Sequence, residues 1–423
     1  MSRLKYIPRP LRARAVATVT ALVRATRAPF WPAFKAQDQM TAGPLLVSGF
    51  MSEVLGVGRA AQMSFERFQA AGLHPIAHDL RPALQHYPLG GLSLPPGDGG
   101  VWYLHVNAPE CDVALQTFRA EAWAQRYRIG YWAWETTLAP RSWVTPAKWL
   151  HEIWTPSRFT RDALARAFSA AGHSELSQKL KVMPHPAPRM TARPDRARFG
   201  LGPTDFIALT SFDGRSAYAR KNPMGAIQAW RIAYPRPEAG RTLVVKAVVS
   251  GQDPRALAEL RRLIEDRSDI VLLTDLLDEA GMASLVASVD LVISLHRAEG
   301  FGLMMSEALS LGRAVLTTAY SATGEYLNED CAFLAGFTEI PVRDPSGAYR
   351  QGDWSDPDLE DAAQQLRAAE SVQLRQSRAA NAPKVLQALD AHWSREKFDA
   401  QPWRRLVRAE SGPVLDKPAS IVG

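Results

Sequence analysis

Residues 296–312 read HRAEGFGLMMSEALSLG and contain a turn between two apolar segments. The preceding run DLVISLH (290–296) has the length and composition of a buried strand. The following LMMSEALSLG is typical of a helix that ends at Gly312. Gly300 and Gly302 let the backbone turn tightly and approach a ligand, because they carry no Cβ atom. A strand that turns directly into a helix is the repeating unit of a parallel α/β sheet.

The start of this helix is suited to a phosphate, because its free N–H groups point toward the turn. Glu299 lies in the turn itself, and Glu307 lies about one turn inside the helix. Helical side chains lean toward the N-terminus, so both carboxylates can reach the same place. Carboxylates accept hydrogen bonds from hydroxyls and do not bind phosphate directly. A phosphate site beside two hydroxyl acceptors indicates a nucleotide-linked sugar as the ligand.

The same alternation of strand-like and helix-like runs extends through the chain. In the second half, the apolar runs that predict strands are 206–212, 241–249, 269–275, 290–296 and 313–319. In the first half they are 43–50, 74–80, 101–108, 127–134 and 151–159. A segment rich in proline and arginine separates the two halves. The sequence therefore predicts two α/β domains, 41–190 and 191–393, whose parallel sheets face each other across a cleft. A basic arm (1–40) precedes them, and a helix that recrosses to the first domain follows with a tail (394–423).

Length and composition agree with a folded protein of more than one domain. The chain has 423 residues, of which 46% are hydrophobic and 22% charged, and a single core does not normally grow to this size. The net charge of +7 favours an anionic ligand or surface, and no nucleic-acid-binding motif accompanies it. Cys111 and Cys331 are the only cysteines and lack metal-ligand spacing, which favours a reducing cytoplasm.

The first 37 residues carry eight basic residues and no acidic one. The apolar segment between Arg14 and Arg24 is too short to span a bilayer. Arg24 and Arg27 stand where a signal peptide would have small cleavage-site residues. Two interpretations remain open. One is a basic helix that lies with FWPAF (30–34) on an anionic membrane face, and the other is a disordered or loosely packed arm.

The segment HRAEGFGLMMSEALSLGRAV (296–315) resembles the Glu-x7-Glu segment of the retaining family-4 glycosyltransferases. The resemblance covers most of the chain from about 45 to about 393 and implies the GT-B fold, with two facing Rossmann-like domains. It implies that Glu299 contacts the donor sugar at the catalytic centre and that Glu307 contacts the ribose. The backbone amides that it implies at the diphosphate belong to Gly300, Phe301, Gly302 and Leu303.

A second segment, SFDGRSAYARKNPMGAIQAW (211–230), is similar to the part of that family in which a basic pair and Asn-Pro precede a helix. Arg220 and Lys221 would neutralise the leaving pyrophosphate, which needs about two positive charges near it. We find no acidic cluster that would serve as an Asp-x-Asp metal site. We therefore expect these two cations to take the place of a metal, with no cofactor besides the donor substrate.

The first half supplies candidates for the acceptor side of the cleft. Residues 128–164 resemble a segment common in polysaccharide-building members, with Gly-Tyr-Trp-x-Trp-Glu and Ile-Trp-x-Pro-Ser-x-Phe. Glu135, just past a predicted buried strand, is the catalytic candidate for an acceptor hydroxyl, where many members carry a histidine. His105 and Asn107 end the preceding strand, although a buried, hydrogen-bonded histidine is the simpler interpretation of His105. Trp134 has a flat face for a sugar ring, but most tryptophans here are expected in the core.

Two other functions remain open. Gly56 and Gly58, with Asp79 at the end of the next strand, come close to a dinucleotide-binding fingerprint, which would make the chain an NAD-dependent oxidoreductase. The glycine pair does not follow its strand directly, which counts against this interpretation. In a glycosyltransferase the same glycines would form a loop at the cleft, near the donor phosphate or the acceptor, and we count them among the donor-binding candidates. The other alternative is a non-catalytic sugar-nucleotide-binding protein, against which the intact acidic and basic residues argue.

The sequence therefore predicts a cytoplasmic, metal-independent glycosyltransferase of the retaining type, a hexosyltransferase. It would move a sugar from a nucleoside-diphosphate sugar to a hydroxyl of a glycan or lipid-linked saccharide, in cell-surface polysaccharide synthesis. The prediction includes peripheral contact with the inner membrane face through residues 1–40. It does not include nucleic acid as a partner.

Overall fold

A parallel sheet organises each half of the chain. The computed structural model describes residues 9–52, 56–86, 92–95, 97–213, 217–248 and 254–408. The first eight residues of the basic arm and the predicted tail beyond 408 lie outside these residues. In the described part of the chain, two six-stranded sheets and one two-stranded sheet form.

Six parallel strands make up the first sheet: β1 (Leu45–Gly49), β2 (Ile76–Asp79), β3 (Val101–His105), β4 (Tyr127–Tyr131), β5 (Glu152–Thr155) and β6 (Leu180–Val182). Their order across the sheet is β2-β1-β3-β4-β5-β6. β1, β3, β4 and β5 are buried along their whole length, as expected for a parallel sheet covered on both faces. β2 lies at the edge and is only half-buried, so the expectation of a buried strand within 74–80 is wrong.

Six further parallel strands make up the second sheet: β7 (Phe206–Asp213), β8 (Arg241–Val248), β9 (Ile270–Leu273), β10 (Leu291–Ser294), β11 (Ala314–Thr318) and β12 (Phe333–Ala335). Their order is β12-β11-β10-β7-β8-β9. Thr210 pairs with Ile293 on one side and with Val245 on the other, which fixes the register of the three central strands.

An antiparallel hairpin of β13 (Phe337–Pro341) and β14 (Asp353–Pro357) follows the second sheet. The sequence pattern did not predict it, because β13 is exposed and has no buried face to give an apolar alternation.

Helices connect successive strands and cover both faces of each sheet. In the first half they are α1 (Arg9–Arg27), α2 (Val57–Ala70), α3 (Arg81–His86), α4 (Ala108–Thr117), α5 (Ala120–Ala124), α6 (Val144–Ala147) and α7 (Arg158–Ala170). In the second half they are α8 (Tyr218–Lys221), α9 (Pro223–Ala233), α10 (Pro254–Ile264), α11 (Glu279–Ser288), α12 (Leu303–Ser310), α13 (Thr323–Tyr326), α14 (Leu359–Ala368), α15 (Val372–Ala379), α16 (Ala382–Ala391) and α17 (Arg395–Asp399). Short 3-10 helices are Ala28–Phe30, Gln37–Gln39, Arg141–Trp143, Ser174–Lys179, Ala197–Phe199 and Pro402–Leu406. Among the helices of the described residues, none is long and apolar enough to cross a membrane.

The strand order reverses once in each sheet, between β1 and β3 in the first and between β7 and β10 in the second. Open parallel sheets bind ligands at such points, outside the carboxyl ends of the strands. The two carboxyl edges face each other, since a Cβ atom at Gly300, after β10, would lie 3.2 Å from that of Ala133, after β4. Glu325 of α13 also crosses the cleft and accepts hydrogen bonds from the N–H groups of Arg158 and Phe159, at 2.8 and 2.7 Å. Two facing parallel α/β domains confirm the predicted fold class.

The last described segment of the chain returns to the first domain. Trp393, Phe398 and Trp403 pack in one buried cluster with Phe68 of α2 and Trp154 of β5. Their burial gives the first domain a large part of the apolar core on that face of its sheet.

The N-terminal segment from residue 18 to residue 40 is packed on the first domain, so the interpretation as a loose arm is wrong for these residues. The Arg24 guanidinium lies 2.5 Å from the carboxylate of Asp112 on α4. The Trp31 ring contacts Trp123 and Trp149 edge-on, with centroid distances of 5.1 and 4.8 Å. Edge-to-face contacts of this kind add to the stabilisation from apolar burial.

We predict that Trp31→Ala lowers the stability of the first domain by about 2 kcal/mol, because it leaves a cavity between two tryptophans. Thermal denaturation followed by circular dichroism would measure the change. Phe30→Ala is the matched control, since the neighbouring Phe30 is 85% exposed and its loss should change stability by less than about 0.5 kcal/mol. Equal effects of the two substitutions would contradict the packing of this segment.

Candidate active site

The switch point between β7 and β10 brings together residues that are far apart in the sequence. Asn222 ties the two strand ends: its side-chain amide donates to the carbonyl of Leu295 at 2.8 Å, and its Oδ1 accepts from the N–H of Gly225 at 3.3 Å. Asn222 has φ of +48°, a left-handed conformation that asparagine tolerates better than most residues. This turn projects Arg220 and Lys221 toward the loop that follows β10.

Glu299 lies between these two cations. The Lys221 ammonium donates to Glu299 Oε1, and Arg220 Nη1 lies 3.1 Å from Glu299 Oε2. Burial alone would raise the pKa of Glu299, but the charges of Lys221, Arg220 and His296 outweigh it and lower the pKa to about 2. Glu299 is therefore a carboxylate at any physiological pH.

Arg220 is the most deeply buried charge of the group, with 5% of its surface exposed. It donates to the carbonyl of Ala298 at 2.8 Å. Burial opposes its charge, yet Tyr349, Glu299 and Glu135 together raise the pKa of Arg220 well above its usual value. The guanidinium is thus a permanent cation fixed at the base of the cleft.

Glu135 completes this cluster from the first domain. One carboxylate oxygen, Oε1, lies 3.9 Å from Arg220 Nη2. The other, Oε2, accepts a hydrogen bond of 2.9 Å from the hydroxyl of Tyr349 in the second domain. The structure therefore brings all four predicted catalytic residues, Glu299, Lys221, Arg220 and Glu135, to one place.

The glycine turn before α12 has the geometry that the sequence predicts. Gly302 has φ of +87°, and a Cβ atom there would lie 2.6 Å from Thr323 Cγ2, so no other residue fits without strain. Gly300 lies against Ala133, whose Cβ would be 3.2 Å from a Cβ atom at Gly300. Leu303 is the first residue of α12, whose N-terminal N–H groups open toward the cleft between the domains.

Phe301 is buried and anchors the glycine turn in an aromatic contact between the domains. Its ring stacks on Tyr326 at 5.1 Å and meets the edge of His185 at 4.9 Å. His185 stacks in turn on Tyr131 and lies parallel to His105. Desolvation lowers the pKa of His185 to about 3, so this contact is neutral and apolar. Phe301 therefore holds the turn in place through its side chain, whereas any ligand contact would be made by its backbone.

Glu307 stands apart from the charged cluster. It is half-buried on α12, and its carboxylate accepts no hydrogen bond from the described residues. Burial raises the pKa of Glu307 to about 7, with Arg59 of α2 opposing and Glu279 of α11 adding to the shift. Arg59 and Glu279 form an ion pair of 3.2 Å across the domain boundary. Glu307 is thus a carboxylate with open hydrogen-bonding capacity beside that pair.

The remaining acceptor-side candidates have mostly structural contacts. His105 is 2% exposed, and its Nδ1 lies 3.2 Å from both the Ser64 and Tyr103 hydroxyls. Asn107 Oδ1 accepts from the N–H of Ala133 at 2.8 Å and so positions the segment that leads to Glu135.

Trp134 has little free surface for a sugar. Its indole N–H donates to Thr136 Oγ1 at 2.7 Å and to the carbonyl of Leu138 at 3.0 Å. Its ring contacts Trp143 and Tyr349, with both centroid distances at 5.1 Å. Because 9% of its surface is exposed, Trp134 mainly packs against Tyr349 and offers little surface to a ligand in the cleft.

Gly56 and Gly58 begin α2 after β1. Gly56 has φ of +63°, and a Cβ atom there would meet nothing within 4 Å, so the turn is open on one side. Asp79, the ribose partner in a dinucleotide fold, already accepts a hydrogen bond of 2.5 Å from Ser52. This contact argues further against the dinucleotide interpretation.

Metal-ligating side chains do not cluster in the described residues: no three His, Cys, Asp or Glu side chains come together as a metal site. Metal independence remains a prediction.

Sequence reasoning missed Tyr349, His185 and Ser321, which contact predicted site residues, and Arg59, whose charge acts on Glu307. Ser321, whose Oγ accepts from the N–H of Glu299 at 2.9 Å, and His185 follow the carboxyl ends of β11 and β6. A search of every strand end would have found these two. Arg59 directly follows the Gly56-x-Gly58 pair and could have been found from that motif. Tyr349 lies in a loop with no local motif, so only the tertiary structure identifies it.

Comparison with known proteins connects this geometry to a family. Residues 211–346 match the model of the family "Glycosyl transferases group 1", a match that covers the basic pair, the glycine turn and both glutamates. No match to the curated proteins was found.

Solved structures are similar to most of the chain, and three of them serve as examples. Anabaena Alr3699/HepE, solved with UDP and glucose, has a TM-score of 0.58 at 15% identity and covers 83% of this chain and 96% of its own. A glycosyltransferase from Rickettsia africae has a TM-score of 0.59 at 12% identity and covers 88% of this chain and 99% of its own. An α,α-trehalose 6-phosphate synthase from Burkholderia multivorans has a TM-score of 0.57 at 12% identity and covers 85% of this chain and 98% of its own.

These findings establish a group 1 glycosyltransferase domain in the second half and the GT-B architecture for the chain. The prediction of a glycosyltransferase is confirmed at this level. The assignment to family 4 and to retaining chemistry remains a prediction.

Proposed function

We propose that the protein transfers a sugar, with retention of anomeric configuration, from a nucleoside-diphosphate sugar to a hydroxyl of a glycan or lipid-linked saccharide. The observation that carries the proposal is the cluster of Arg220, Lys221 and Glu299 beside the N-terminus of α12. Two cations and a helix N-terminus match a diphosphate, and a neighbouring carboxylate matches sugar hydroxyls. HepE, solved with UDP and glucose, gives the proposal support from the same fold.

The donor diphosphate would bind the N–H groups of Gly302 and Leu303 together with the side chains of Arg220 and Lys221. As the bond from sugar to phosphate breaks, negative charge grows on the departing diphosphate. Cations already fixed in a buried site stabilise that charge without reorganising. In a front-face displacement the acceptor hydroxyl attacks from the side on which the diphosphate departs, so the same cations act throughout the step.

Glu299 and Glu307 would hold the two sugars of the donor. Glu299 is ionised and anchored by its backbone, so it can accept hydrogen bonds from the transferred sugar. Glu307 has open hydrogen-bonding capacity and would accept from the ribose hydroxyls. The facing first domain, with Glu135 at its edge, would bind the acceptor and exclude water that competes with it.

We expect one nucleoside diphosphate from the set UDP, ADP, GDP and TDP to raise the melting temperature of the protein. Glu307→Ala should abolish that shift by weakening donor binding. Lys221→Ala should lower turnover of the matching sugar nucleotide by about a hundredfold or more, because the negative charge on the leaving diphosphate loses its cationic partner. Lys384→Ala is the control, since Lys384 is exposed and its ammonium donates to Asn381 Oδ1 in the same helix region.

Stabilisation by NAD in place of every diphosphate would support the oxidoreductase. Binding of a sugar nucleotide without turnover, tested with octyl glycosides of glucose, galactose and mannose as acceptors, would support the non-catalytic alternative.

Donor binding should also depend on pH through Glu307. In the free protein its raised pKa, about 7, means that the carboxyl is protonated below neutrality. Ribose hydroxyls donate to the ionised form, so binding must release that proton, and affinity should fall as pH drops from 8 toward 5.5. The decline should approach tenfold per pH unit below about 6.5.

Isothermal titration at several pH values would measure this dependence. Glu307→Gln removes the titrating group, so its affinity, although weaker, should change less across the same range. An equally steep decline in this variant would contradict the assignment of Glu307 to the ribose.

Helix α1 supports a membrane-bound acceptor. It attaches to α4 by its polar side, where Arg24 meets Asp112 and Arg27 donates to the carbonyl of Gln116 at 3.1 Å. Arg24 precedes Arg27 on α1 just as Asp112 precedes Gln116 on α4, so the two helices run parallel. The N-terminal end of α1 therefore lies toward the cleft. Within residues 18–27, where the side chains of α1 are described, Val19 and Leu22 are 47% and 63% exposed, and Phe30 just beyond the helix is 85% exposed.

An apolar face on a strongly basic segment fits an anionic bilayer. We predict that vesicles of phosphatidylglycerol and phosphatidylcholine bind the protein and that Leu22→Glu with Phe30→Glu weakens binding at least about tenfold. Val372→Glu with Leu374→Glu is the control, because these residues are similarly exposed on α15, at 49% and 44%. Flotation would measure binding, and equal effects of the two pairs would remove the proposed role of α1. Point variants are preferable to a deletion of residues 1–40, because Trp31 packs against the core of the first domain.

A further inference from the structure

A loop of the second domain lies across the acceptor side of the first. We call residues 342–352, between β13 and β14, the strap. At its end the N–H of Asp353 donates to Thr137 Oγ1 at 2.7 Å, and the N–H of Thr137 donates to the Asp353 carbonyl at 3.1 Å. The Gln351 side chain donates to the carbonyl of Ala139 at 3.0 Å. The strap is therefore attached to the segment that directly follows Glu135.

The strap has a defined internal structure. The carboxylate of Asp344 accepts hydrogen bonds from the N–H groups of Ser346, Ala348 and Tyr349, at 3.0, 2.9 and 3.0 Å. A carboxylate that gathers three backbone donors fixes the loop much as a helix cap does. Hydrogen bonds on both sides therefore fix the backbone from which the Tyr349 side chain extends.

Both the ring and the hydroxyl of Tyr349 make contacts at the site. Its ring lies 5.1 Å from that of Trp134, and the Arg220 guanidinium carbon lies 5.9 Å from the ring centroid. Its hydroxyl donates to Glu135 Oε2 at 2.9 Å. Because the donor is fixed by the strap, the hydrogen bond fixes the rotation of the Glu135 carboxylate.

The Tyr349 contact also keeps Glu135 from pairing closely with Arg220. Glu135 Oε1 remains 3.9 Å from Arg220 Nη2, whereas hydrogen-bonded ion pairs are about 2.7–2.9 Å long. Without Tyr349, the attraction of the buried guanidinium would draw the carboxylate into a close pair. That pair would occupy the oxygen that an acceptor hydroxyl needs.

We propose that Tyr349 is the positioning residue of the acceptor side: it holds Glu135 so that one carboxylate oxygen stays open to the acceptor hydroxyl. This inference rests on the proposed transfer reaction. It adds that the second domain, which carries the donor site, also orients the acceptor group of the first, so that acceptor activation requires the docked strap.

Tyr349→Phe tests the inference, since it removes only the hydroxyl. With the sugar nucleotide identified by the melting screen and octyl β-glucoside as the acceptor probe, kcat/KM for the acceptor should fall about tenfold or more. The Kd of the nucleoside diphosphate should not change. Tyr234→Phe is the matched control, because its buried hydroxyl donates to the carbonyl of Leu366, away from the cleft, at 3.4 Å.

A double-mutant cycle with Glu135→Gln separates positioning from general structural support. If Tyr349 acts through Glu135, adding Tyr349→Phe to Glu135→Gln should lower kcat/KM little further. Additive losses, unchanged acceptor kinetics, or equal losses of donor affinity would each overturn the inference while the transferase stands. A wild-type protein that transfers no sugar to this probe or to water would remove the proposed function and this inference together.

Discussion

The buried guanidinium of Arg220 is the charge around which the cleft is assembled. A cation removed from water needs partners, and Arg220 obtains a hydrogen bond to Ala298 and the negative charges of Glu299 and Glu135. Two of these follow β10, and the third belongs to the opposite domain. Loss of one partner from such a buried group typically costs about 3–5 kcal/mol. The orientation of the domains and the charge of the site therefore depend on the same side chain.

The two glutamates of one short motif differ in protonation because their surroundings differ. Glu299 lies between Lys221 and Arg220, which lower its pKa to about 2. Glu307 is eight positions later on the opposite side of the turn, where burial raises its pKa to about 7. A single turn and the helix that follows it thus offer one permanent carboxylate and one whose charge responds to the bound ligand. Local sequence spacing sets the positions, and tertiary contacts set the charges.

The same distinction between local spacing and tertiary contacts describes how much of the fold and of the site could be predicted from the sequence. Glu299, Arg220 and Lys221 follow strand ends, and parallel strands place their ends at one edge, so their proximity follows from local pattern alone. The burial of Trp134 depends on Tyr349, 215 positions later in the chain, and no periodicity reports such a contact. The hairpin of β13 and β14 was missed because an exposed ribbon has no apolar alternation. The packing of Trp31 on Trp123 and Trp149 was missed because a basic segment without acidic residues has the composition typical of flexible arms.

The chain passes between the domains twice, once after β6 and once after α16, where Trp393 and Phe398 rejoin the first core. The two crossings lie side by side, since Trp393 Nε1 donates to the carbonyl of Pro184 at 2.7 Å and the N–H of Ala187 donates to Asp390 at 2.9 Å. Two adjacent crossings form a single hinge for rotation of the second domain. Contacts elsewhere along the cleft, such as Tyr349 on Glu135, oppose that rotation. Small changes in such contacts would therefore change how far the cleft opens.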